Sequence, residues 1–377
     1  MIKIQEKEKC CGCTACFQRC PKQCISMHED DEGFLYPIVD EKLCINCRLC
    51  EFVCPVLNQH NFCTPLEVYA SKNIDIEVRK SSSSGGVFPL LIEYIIKKEG
   101  VVFGARFNDN YDIIHDSAEN IEDAQVFCGS KYVQSYINNS YRKAELFLKQ
   151  GRLVLFSGTQ CQIAGLHSFL RRKYDNLLTV EVVCHGVPSP KIWKEYLSAL
   201  KIEKQKIRKI LFKDKSSGWR GYSFSVIGEN NKVFFSEKSE KNKFMIAFYQ
   251  DLILRPSCYN CPAKGGKSNA DITLADYWGI EHINKKFNDN IGISMVCCNS
   301  VKGLKTLNML SKSLNIIVTD FNKSVLYNSS IVKSTIMPVG RQKFWDDYFK
   351  DGINVLLSLE SNRPNLLRRI IRRIISK

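Results

Sequence analysis

Two runs of cysteines within the first sixty residues carry the clearest chemical signal in the chain. Each run has the spacing C-x-x-C-x-x-C-x-x-x-C-P: the first comprises Cys10, Cys13, Cys16 and Cys20, and the second Cys44, Cys47, Cys50 and Cys54. Thiolates at this spacing hold [4Fe-4S] clusters, and the fourth cysteine of each run ligates the cluster of the other run. The pattern therefore predicts two clusters and a role in electron transfer.

The same spacing is typical of bacterial two-cluster ferredoxins, and it predicts a ferredoxin-type module over residues 1–60. We assign one cluster to Cys10, Cys13, Cys16 and Cys54, and the other to Cys44, Cys47, Cys50 and Cys20. The fourth cysteine of each run is expected to start a helix, because the proline after it suits a first helical turn. Residues 24–27 and 36–39 indicate two short strands around a turn.

Zinc and disulfides are weaker interpretations of these cysteines. A tetrahedral zinc ion takes four ligands, so zinc binding does not explain two interleaved runs of four cysteines. Residues 1–9 contain no apolar signal-peptide core, so nothing suggests an oxidising compartment. We therefore expect a cytoplasmic iron-sulfur protein.

Composition sets limits on the rest of the chain. With 377 residues, 44% of them hydrophobic, the protein can bury a substantial core in two or three domains. The apolar stretch 87–96 contains Glu93 and ends at Lys97, so it is too short and too polar to span a membrane. The sequence predicts a protein that neither spans a membrane nor is exported.

The formal charge of +15 counts every cysteine as neutral. Cluster-bound cysteines are thiolates, so the loaded protein is less basic than this count. The remaining excess favours anionic cofactors, an anionic small-molecule substrate or acidic partners. No recognition motif for DNA or RNA accompanies the charge, so we expect no nucleic-acid partner.

A serine- and glycine-rich loop precedes an apolar helical stretch over residues 87–96. The loop consists of Lys80, Ser81, Ser82, Ser83, Ser84, Gly85 and Gly86. Hydroxyls and free backbone N–H groups at a helix start favour a phosphate, and Lys80 adds positive charge. Taken alone, such a loop is more often a plain helix cap.

Two later cysteines follow predicted strands. Cys161 comes after the strand 153–156 and a turn, and Cys184 comes directly after the strand 177–183. If the strands are parallel neighbours, both cysteines lie on the sheet edge where open α/β folds bind ligands. With Cys258 and Cys261 they would hold a third [4Fe-4S] cluster. A zinc site, a redox pair or buried apolar cysteines stay open as alternatives.

Several motifs together resemble the coenzyme F420 hydrogenase/dehydrogenase beta subunit family, which includes 7-hydroxymethyl chlorophyll a reductase. The resemblance extends to about residue 300. The motifs lie at residues 79–86, 129–135, 158–162, 184–188, 212–219, 257–261 and 270–279. The resemblance implies a mixed-sheet α/β body that binds flavin and a cluster, behind the ferredoxin module.

The family resemblance also implies an FAD and names its contacts. Those contacts are the loop 80–86, Lys131, and the turn formed by Gly158, Thr159 and Gln160. Family members commonly have proline at the position of Gln160, a difference that affects loop rigidity but removes no ligand. The catalytic residues stay unknown, because the flavin itself would carry out the chemistry. Lys131 and His185 are the candidates.

The resemblance divides the chain into four segments. They are the module 1–60, the flavin-loop part 61–150, the third-cluster part 151–310 and an extension 311–377. The extension ends in a repeated pattern of apolar and basic pairs, which indicates an amphipathic helix. That helix could contact a membrane surface or a partner, or pack on its own core.

Three functions compete. The first is an oxidoreductase that passes electrons between F420 or another small hydride donor or acceptor and a ferredoxin-type carrier, through FAD and clusters. The second is a relay subunit whose partner enzyme holds the substrate. The third, a cluster-dependent nucleic-acid regulator, predicts salt-dependent DNA or RNA binding and no flavin.

Overall fold

A computed structural model describes residues 1–361. The predicted amphipathic helix near the carboxyl terminus therefore lies outside the described residues. The amino-terminal module contains an antiparallel hairpin and two short helices. Its elements are α1 (Ala15–Arg19), β1 (Ile25–Glu29), β2 (Leu35–Val39) and α2 (Leu49–Phe52).

The expected position of the module helices is wrong. Each helix lies before the fourth cysteine of its run: α1 ends at Arg19, ahead of Cys20, and α2 ends at Phe52, ahead of Cys54. Proline cannot continue a helix, so Pro21 and Pro55 follow the helix ends rather than begin new helices. The third cysteine of each run, not the fourth, is the helical one.

The body adds eleven strands within the described residues. They are β3 (Glu67–Asn73), β4 (Val101–Phe107), β5 (Ile113–Ala118), β6 (Val154–Thr159), β7 (Leu177–Val182), β8 (Ile207–Asp214), β9 (Ser223–Gly228), β10 (Val233–Lys238), β11 (Ile272–Asp276), β12 (Ser294–Cys298) and, at the sheet edge, β13 (Leu314–Thr319).

In the same part of the chain, eleven helices cover or flank these strands. They are α3 (Ile76–Ser81), α4 (Val87–Ile96), α5 (Ile121–Ala124), α6 (Ser140–Lys149), α7 (Gln160–Leu170), α8 (Pro190–Ala199), α9 (Lys243–Tyr249), α10 (Val301–Met309), α11 (Phe321–Val325), α12 (Arg341–Asp351) and α13 (Asn354–Ser358). Short 3₁₀ turns include Pro256–Asn260, between α9 and β11.

Eight strands form one mixed sheet in the order β13-β3-β12-β11-β7-β6-β4-β5. Strands β4, β6, β7 and β11 are parallel neighbours, whereas both edges of the sheet are antiparallel. The predicted mixed α/β body is confirmed. Segments 61–150, 151–310 and 311–377 all contribute strands, so they share this one sheet.

A second, three-stranded sheet in the order β10-β9-β8 packs beside an aromatic core. Trp193 of α8 contacts Phe212 of β8 with ring centroids 4.9 Å apart, and Phe244 of α9 at 5.5 Å. Each such buried ring contributes roughly 1.5–3 kcal/mol of hydrophobic free energy. This core fixes the segment that leads into the Cys258 turn.

Buried contacts join the module to the body. A Cβ on Gly12 would lie 2.8 Å from an Arg255 guanidinium nitrogen, and the φ of Gly12 is +70°, so a larger residue would be strained there. Arg341 of α12 forms a buried bidentate ion pair with Glu32 in the module hairpin. The module is thus held in a defined place on the body.

No helix in the part of the chain that the structure describes, residues 1–361, is long and apolar enough to cross a membrane.

Candidate metal centres

The first module site is formed by Cys10, Cys13, Cys16 and Cys54. Burial raises the pKa of the Cys16 thiol, and the neighbouring Cys10 and Cys54 raise it further. The pKa of Cys54 is raised by burial and, in addition, by Cys10. These mutual effects mean that the predicted group of thiols lies together, although Cys54 is distant from the other three in sequence.

The second module site is a cavity of about 350 Å³. Its lining includes the four predicted cysteines: Cys20, Cys44, Cys47 and Cys50. Cys24 also lines it, with its sulfur 3.4 Å from that of Cys20. Cys24 lies outside the repeated spacing of the two runs, so the sequence does not predict it as a ligand.

The third site is a cavity in the body that is partly open to solvent. Helix α7 begins at Gln160, so Cys161 lies in its first turn rather than in the predicted turn before it, and Cys184 follows β7. Because β6 and β7 are parallel neighbours, both cysteines reach the same edge of the sheet. Cys258 and Cys261, from the 3₁₀ turn and its end, complete the four predicted cysteines that line the cavity.

The thiols of the third site favour their neutral form without a bound metal. Burial raises the pKa of Cys184 to about 12 and that of Cys261 to about 11, while the charge of Lys264 opposes both shifts. The Lys264 ammonium donates hydrogen bonds to the backbone carbonyls of Cys184 and Ser330. A metal centre bound here would displace thiol protons and form charged thiolates beside this lysine.

The four cysteines of the third site surround one cavity, and four thiolates are the ligand set that a [4Fe-4S] cluster takes. A zinc ion draws its thiolates to about 2.3 Å from one point, whereas a cuboidal cluster needs them spread around a cavity. The donor set and the cavity of the third site therefore fit a [4Fe-4S] cluster.

A fifth cysteine, Cys11, links the first and third sites. It lines the third cavity together with Cys161, and the neighbouring Cys13 raises the pKa of its thiol. Gly165 lets α7 approach this loop, since a Cβ there would lie 2.7 Å from the Cβ of Cys13. Cys11 lies outside the repeated spacing of the two runs, and the sequence gives no sign of its place between two sites except that it follows Cys10.

Arg255 also connects the two sites. It lines the third cavity, and its guanidinium donates to the Cys10 carbonyl at 2.8 Å and approaches the Cys10 sulfur at 3.7 Å. The ring of Tyr36 lies 4.3 Å from its central carbon. A buried positive charge between two thiolate groups stabilises their anionic, cluster-bound form. The sequence offered no pattern that would have identified this arginine.

His185 lines the third cavity, next to Cys184. Its Nε2 lies 2.5 Å from an Asp251 carboxylate oxygen and 3.1 Å from the Thr335 hydroxyl. The histidine is thus hydrogen-bonded and partly exposed, and it could hold or pass on a proton beside the cluster site.

The serine-glycine loop opens α4, as predicted, and most of its hydroxyls bond to backbone. Ser81 and Ser82 donate to the Val78 carbonyl, and Ser84 donates to that of Ile293. Lys80 is exposed and pairs with Glu77 at 2.8 Å. Gly85 donates its N–H to the Ser294 hydroxyl, and Gly86 is the N-cap of α4. Much of the loop thus caps helices or joins α4 to β12.

Ser83 brings this loop to the second predicted flavin segment. Its hydroxyl lies 2.9 Å from that of Ser130, next to Lys131. Burial lowers the pKa of Lys131 to about 8, and its ammonium donates to the carbonyls of Val126 and Cys128. The structure thus brings Ser83 and the Lys131 segment together.

Lys215 supports the loop from behind. Its ammonium donates to the carbonyls of Arg79, Ser84 and Ile291 at 2.7, 3.2 and 2.7 Å. Burial lowers its pKa to about 7. The charge is close enough to the loop to favour an anionic group there.

The remaining predicted flavin contacts lie elsewhere. Thr159 and Gln160 line the third cysteine cavity, and Gly158 directly precedes them on β6. Thr159 caps α7 in a capping box with Gln162, and the Gln160 amide donates to the Ile331 carbonyl. This turn positions Cys161 in the structure, and its contact with flavin stays a prediction.

Comparisons with known proteins agree with this two-part organisation. Residues 9–58 match the family model of the 4Fe-4S dicluster domain. Residues 151–324 match the model for the C terminus of the coenzyme F420 hydrogenase/dehydrogenase beta subunit. An uncharacterized ferredoxin from Methanocaldococcus jannaschii is 38% identical over 52 residues, which span 14% of this chain and 66% of that ferredoxin.

A solved structure shares the fold. A chain from the F420-reducing [NiFe] hydrogenase complex of Methanosarcina barkeri aligns with a TM-score of 0.50 at 17% identity, over 78% of this chain and 95% of that chain.

Proposed function

We propose that this chain, which joins a 4Fe-4S dicluster domain to a C-terminal domain of the F420 hydrogenase/dehydrogenase beta subunit family, is an iron-sulfur flavoprotein oxidoreductase. It exchanges hydride with F420 or another anionic small molecule and single electrons with a ferredoxin-type carrier. The observation that carries the proposal is the third cavity, where four cysteines from three separate segments meet beside the first module site.

The cysteine sites would form a continuous route for electrons. Cys11 lines the third cavity beside Cys161, and its pKa is raised by Cys13 of the first site, so the two sites are neighbours. In the module, Cys54 of the second run would ligate the first cluster, and Cys20 of the first run would ligate the second cluster. These two sites are therefore also neighbours. Three adjacent clusters would carry electrons from the body to the module surface without a mobile carrier.

The flavin would lie at the loop that opens α4. A bound flavin supplies the change between hydride transfer and single-electron transfer. The Ser83 and Ser130 hydroxyls and the α4 N-terminus would bind its phosphates, and Lys215 would add positive charge behind the loop. Lys131 and His185 stay the candidates for holding or moving a proton.

Cofactor content of anaerobically purified protein tests the proposal. We expect about twelve iron atoms, a matching amount of sulfide and one FAD per chain. About eight iron atoms, with or without one zinc, would contradict the third cluster. A chain that holds twelve irons but no flavin would contradict the enzyme and leave the relay.

The relay subunit is a second candidate because of one observation. The hydroxyls of Ser81, Ser82 and Ser84 already donate to backbone carbonyls, so the loop is less open to phosphate than the sequence indicates. Absorption spectra during titration with F420, NAD(P)H and reduced ferredoxin separate the candidates. Flavin reduction by a small donor supports the enzyme, and a response to a protein partner alone supports the relay.

A further inference from the structure

The two module sites differ in their access to solvent. Cys13, Cys16 and Cys54 of the first site are buried, and its loop lies against α7 of the body. In the second site Cys47 is exposed and Cys44 is half-buried. Electron tunnelling weakens steeply with distance, so an external protein exchanges electrons fastest where a cluster comes closest to the surface. That place is Cys47.

The surface around Cys47 is apolar at its centre. Leu43 and Ile45, which flank Cys44, are 57% and 58% exposed. Large apolar side chains this exposed, side by side with a cluster ligand, are typical of a protein-binding site. We call the group Lys22, Lys42, Leu43, Ile45, Cys47 and Arg48 the Cys47 surface.

The rim of the Cys47 surface is positive. Within the described residues 1–361, the ammonium groups of Lys22 and Lys42 have no hydrogen-bond or ion-pair partner. Glu41 pairs with Lys3 at 2.8 Å, and Glu51 pairs with the chain's amino terminus at 2.8 Å and with Arg48 at 3.6 Å. Asp40 accepts the backbone N–H of Lys42 at 2.9 Å, and its carboxylate is the acidic group next to this rim. The ammonium groups of Lys22 and Lys42 therefore stay available to attract an acidic partner.

From this surface we propose that the chain docks an acidic one-electron carrier protein, which exchanges electrons with the Cys20, Cys44, Cys47 and Cys50 cluster. This inference rests on the proposed function and names its partner surface. In each transfer one carrier molecule loses one electron and one cluster gains it, with no bond or proton change. The apolar centre excludes water at the contact, and the lysines steer the approach.

Charge reversal tests the surface. The probe is an acidic two-cluster ferredoxin, reduced and freed of reductant, mixed with the loaded full chain under argon. The variant is Lys22→Glu/Lys42→Glu. The control, Lys305→Glu/Lys312→Glu, makes the same charge change at exposed lysines in and just after α10. We expect the variant's second-order rate at low salt to fall at least about tenfold, and the control's to stay within about twofold.

Salt should narrow the difference between the variant and the parent chain, because screening weakens steering. Equal rates in the variant and the parent, equal slowing in the control, or faster reaction with a basic carrier would each overturn the proposal. Iron content and direct reduction by dithionite show whether the variant's clusters are intact. If the clusters of the double variant are not intact, the single variant Lys42→Gln takes its place, with Lys305→Gln as the control. We then expect the second-order rate of Lys42→Gln to be about threefold lower than that of Lys305→Gln.

Failure of the surface is distinguishable from failure of the proposed function. A chain without flavin or without the third cluster would contradict the proposed oxidoreductase function. The rate of electron transfer from the carrier to the module clusters could still be measured in that chain.

Discussion

The module and the body hold thiols in opposite ways. In the module, eight cysteines with fixed local spacing form two sites within residues 10–54. In the body, four cysteines spread from residue 161 to residue 261 meet only because parallel strands bring two of them to one sheet edge. A module site thus depends mainly on its own loop, whereas the body site depends on the whole fold. Removal of a cysteine should therefore affect the two regions differently.

The largest effect is expected from Cys16→Ala. Cysteines make up most of the small module core, where they pack with Ile2 and Ile25. Without the cluster this core is too small to fold, because small domains depend on such cross-links. We expect iron to fall from about twelve to about eight atoms per chain or fewer, and limited proteolysis to cleave the module while the body stays intact.

Cys24→Ala is the matched control for Cys16→Ala. Cys24 is equally buried and lines the second cavity, but it lies outside the C-x-x-C-x-x-C-x-x-x-C run. Its removal should leave about twelve iron atoms. If Cys24→Ala loses a cluster and Cys20→Ala does not, the sequence-based ligand assignment is wrong.

The second prediction concerns the body site. Cys258→Ala should lower iron to about eight atoms per chain and leave the far-UV circular dichroism unchanged, because the sheet does not depend on the cluster. Flavin reduced by a small donor should then no longer pass electrons to the module. Iron assay and stopped-flow absorption measure both effects.

Cys11→Ala distinguishes the ligands from their neighbour. Cys11 lines the same cavity, and we expect its removal to retain about twelve iron atoms while changing the rate between the first and third clusters. A loss of about four iron atoms from Cys11→Ala, with none from Cys258→Ala, would exchange their roles.

The contrast between the regions also explains how far the sequence predicted the structure. Local patterns predicted eight module cysteines as ligands, and they placed α4 at residues 87–96, where the structure has it. They also predicted that Cys161 and Cys184 would share a sheet edge if their strands were parallel neighbours, and the structure supplies that pairing. The positions of Cys11 and Arg255 were not predictable, since they depend on how the module docks on the body.

Local chemistry also misled where tertiary contacts compete for the same atoms. Serine hydroxyls before a helix suit a phosphate, yet Ser82 and Ser84 donate to the carbonyls of Val78 and Ile293. Proline after Cys20 suits a helix start, yet the helix had already formed around Cys16. For the serines the contacts agree with the helix cap that the sequence also allowed, whereas for the prolines they contradict the predicted helix start.

The third prediction tests the contact between the regions. Arg341 and Glu32 are buried, with side chains 8% and 11% exposed, so Glu32→Ala leaves the arginine charge unpaired. Breaking such a pair destabilises a protein by about 3–5 kcal/mol. We expect a lower thermal midpoint of module unfolding, followed by cluster absorbance under argon.

The double variant Glu32→Ala/Arg341→Ala should recover part of that loss, because no buried charge remains. Glu29→Ala, at an exposed position of the same hairpin, is the control and should change little. A midpoint unchanged by Glu32→Ala would mean that the ion pair does not hold the module to the body.

The smallest effect is expected from Asp289→Asn, which acts within the body alone. Burial raises the pKa of Asp289, but hydrogen bonds from Arg79 and Lys72 outweigh it and lower the pKa to about 2. Because the folded pKa lies below the unfolded one, the stabilisation is complete above about pH 4 and is lost as the pH falls toward 2. The thermal midpoint of the variant should therefore lie below that of the parent chain by a gap that stays constant from about pH 8 to about pH 5. Asp109→Asn, in an exposed turn, should show no gap. A gap that changes between pH 8 and pH 5 would mean that another group provides the stabilisation. Asp289 would then not be the residue that holds Arg79 and the serine-glycine loop in place.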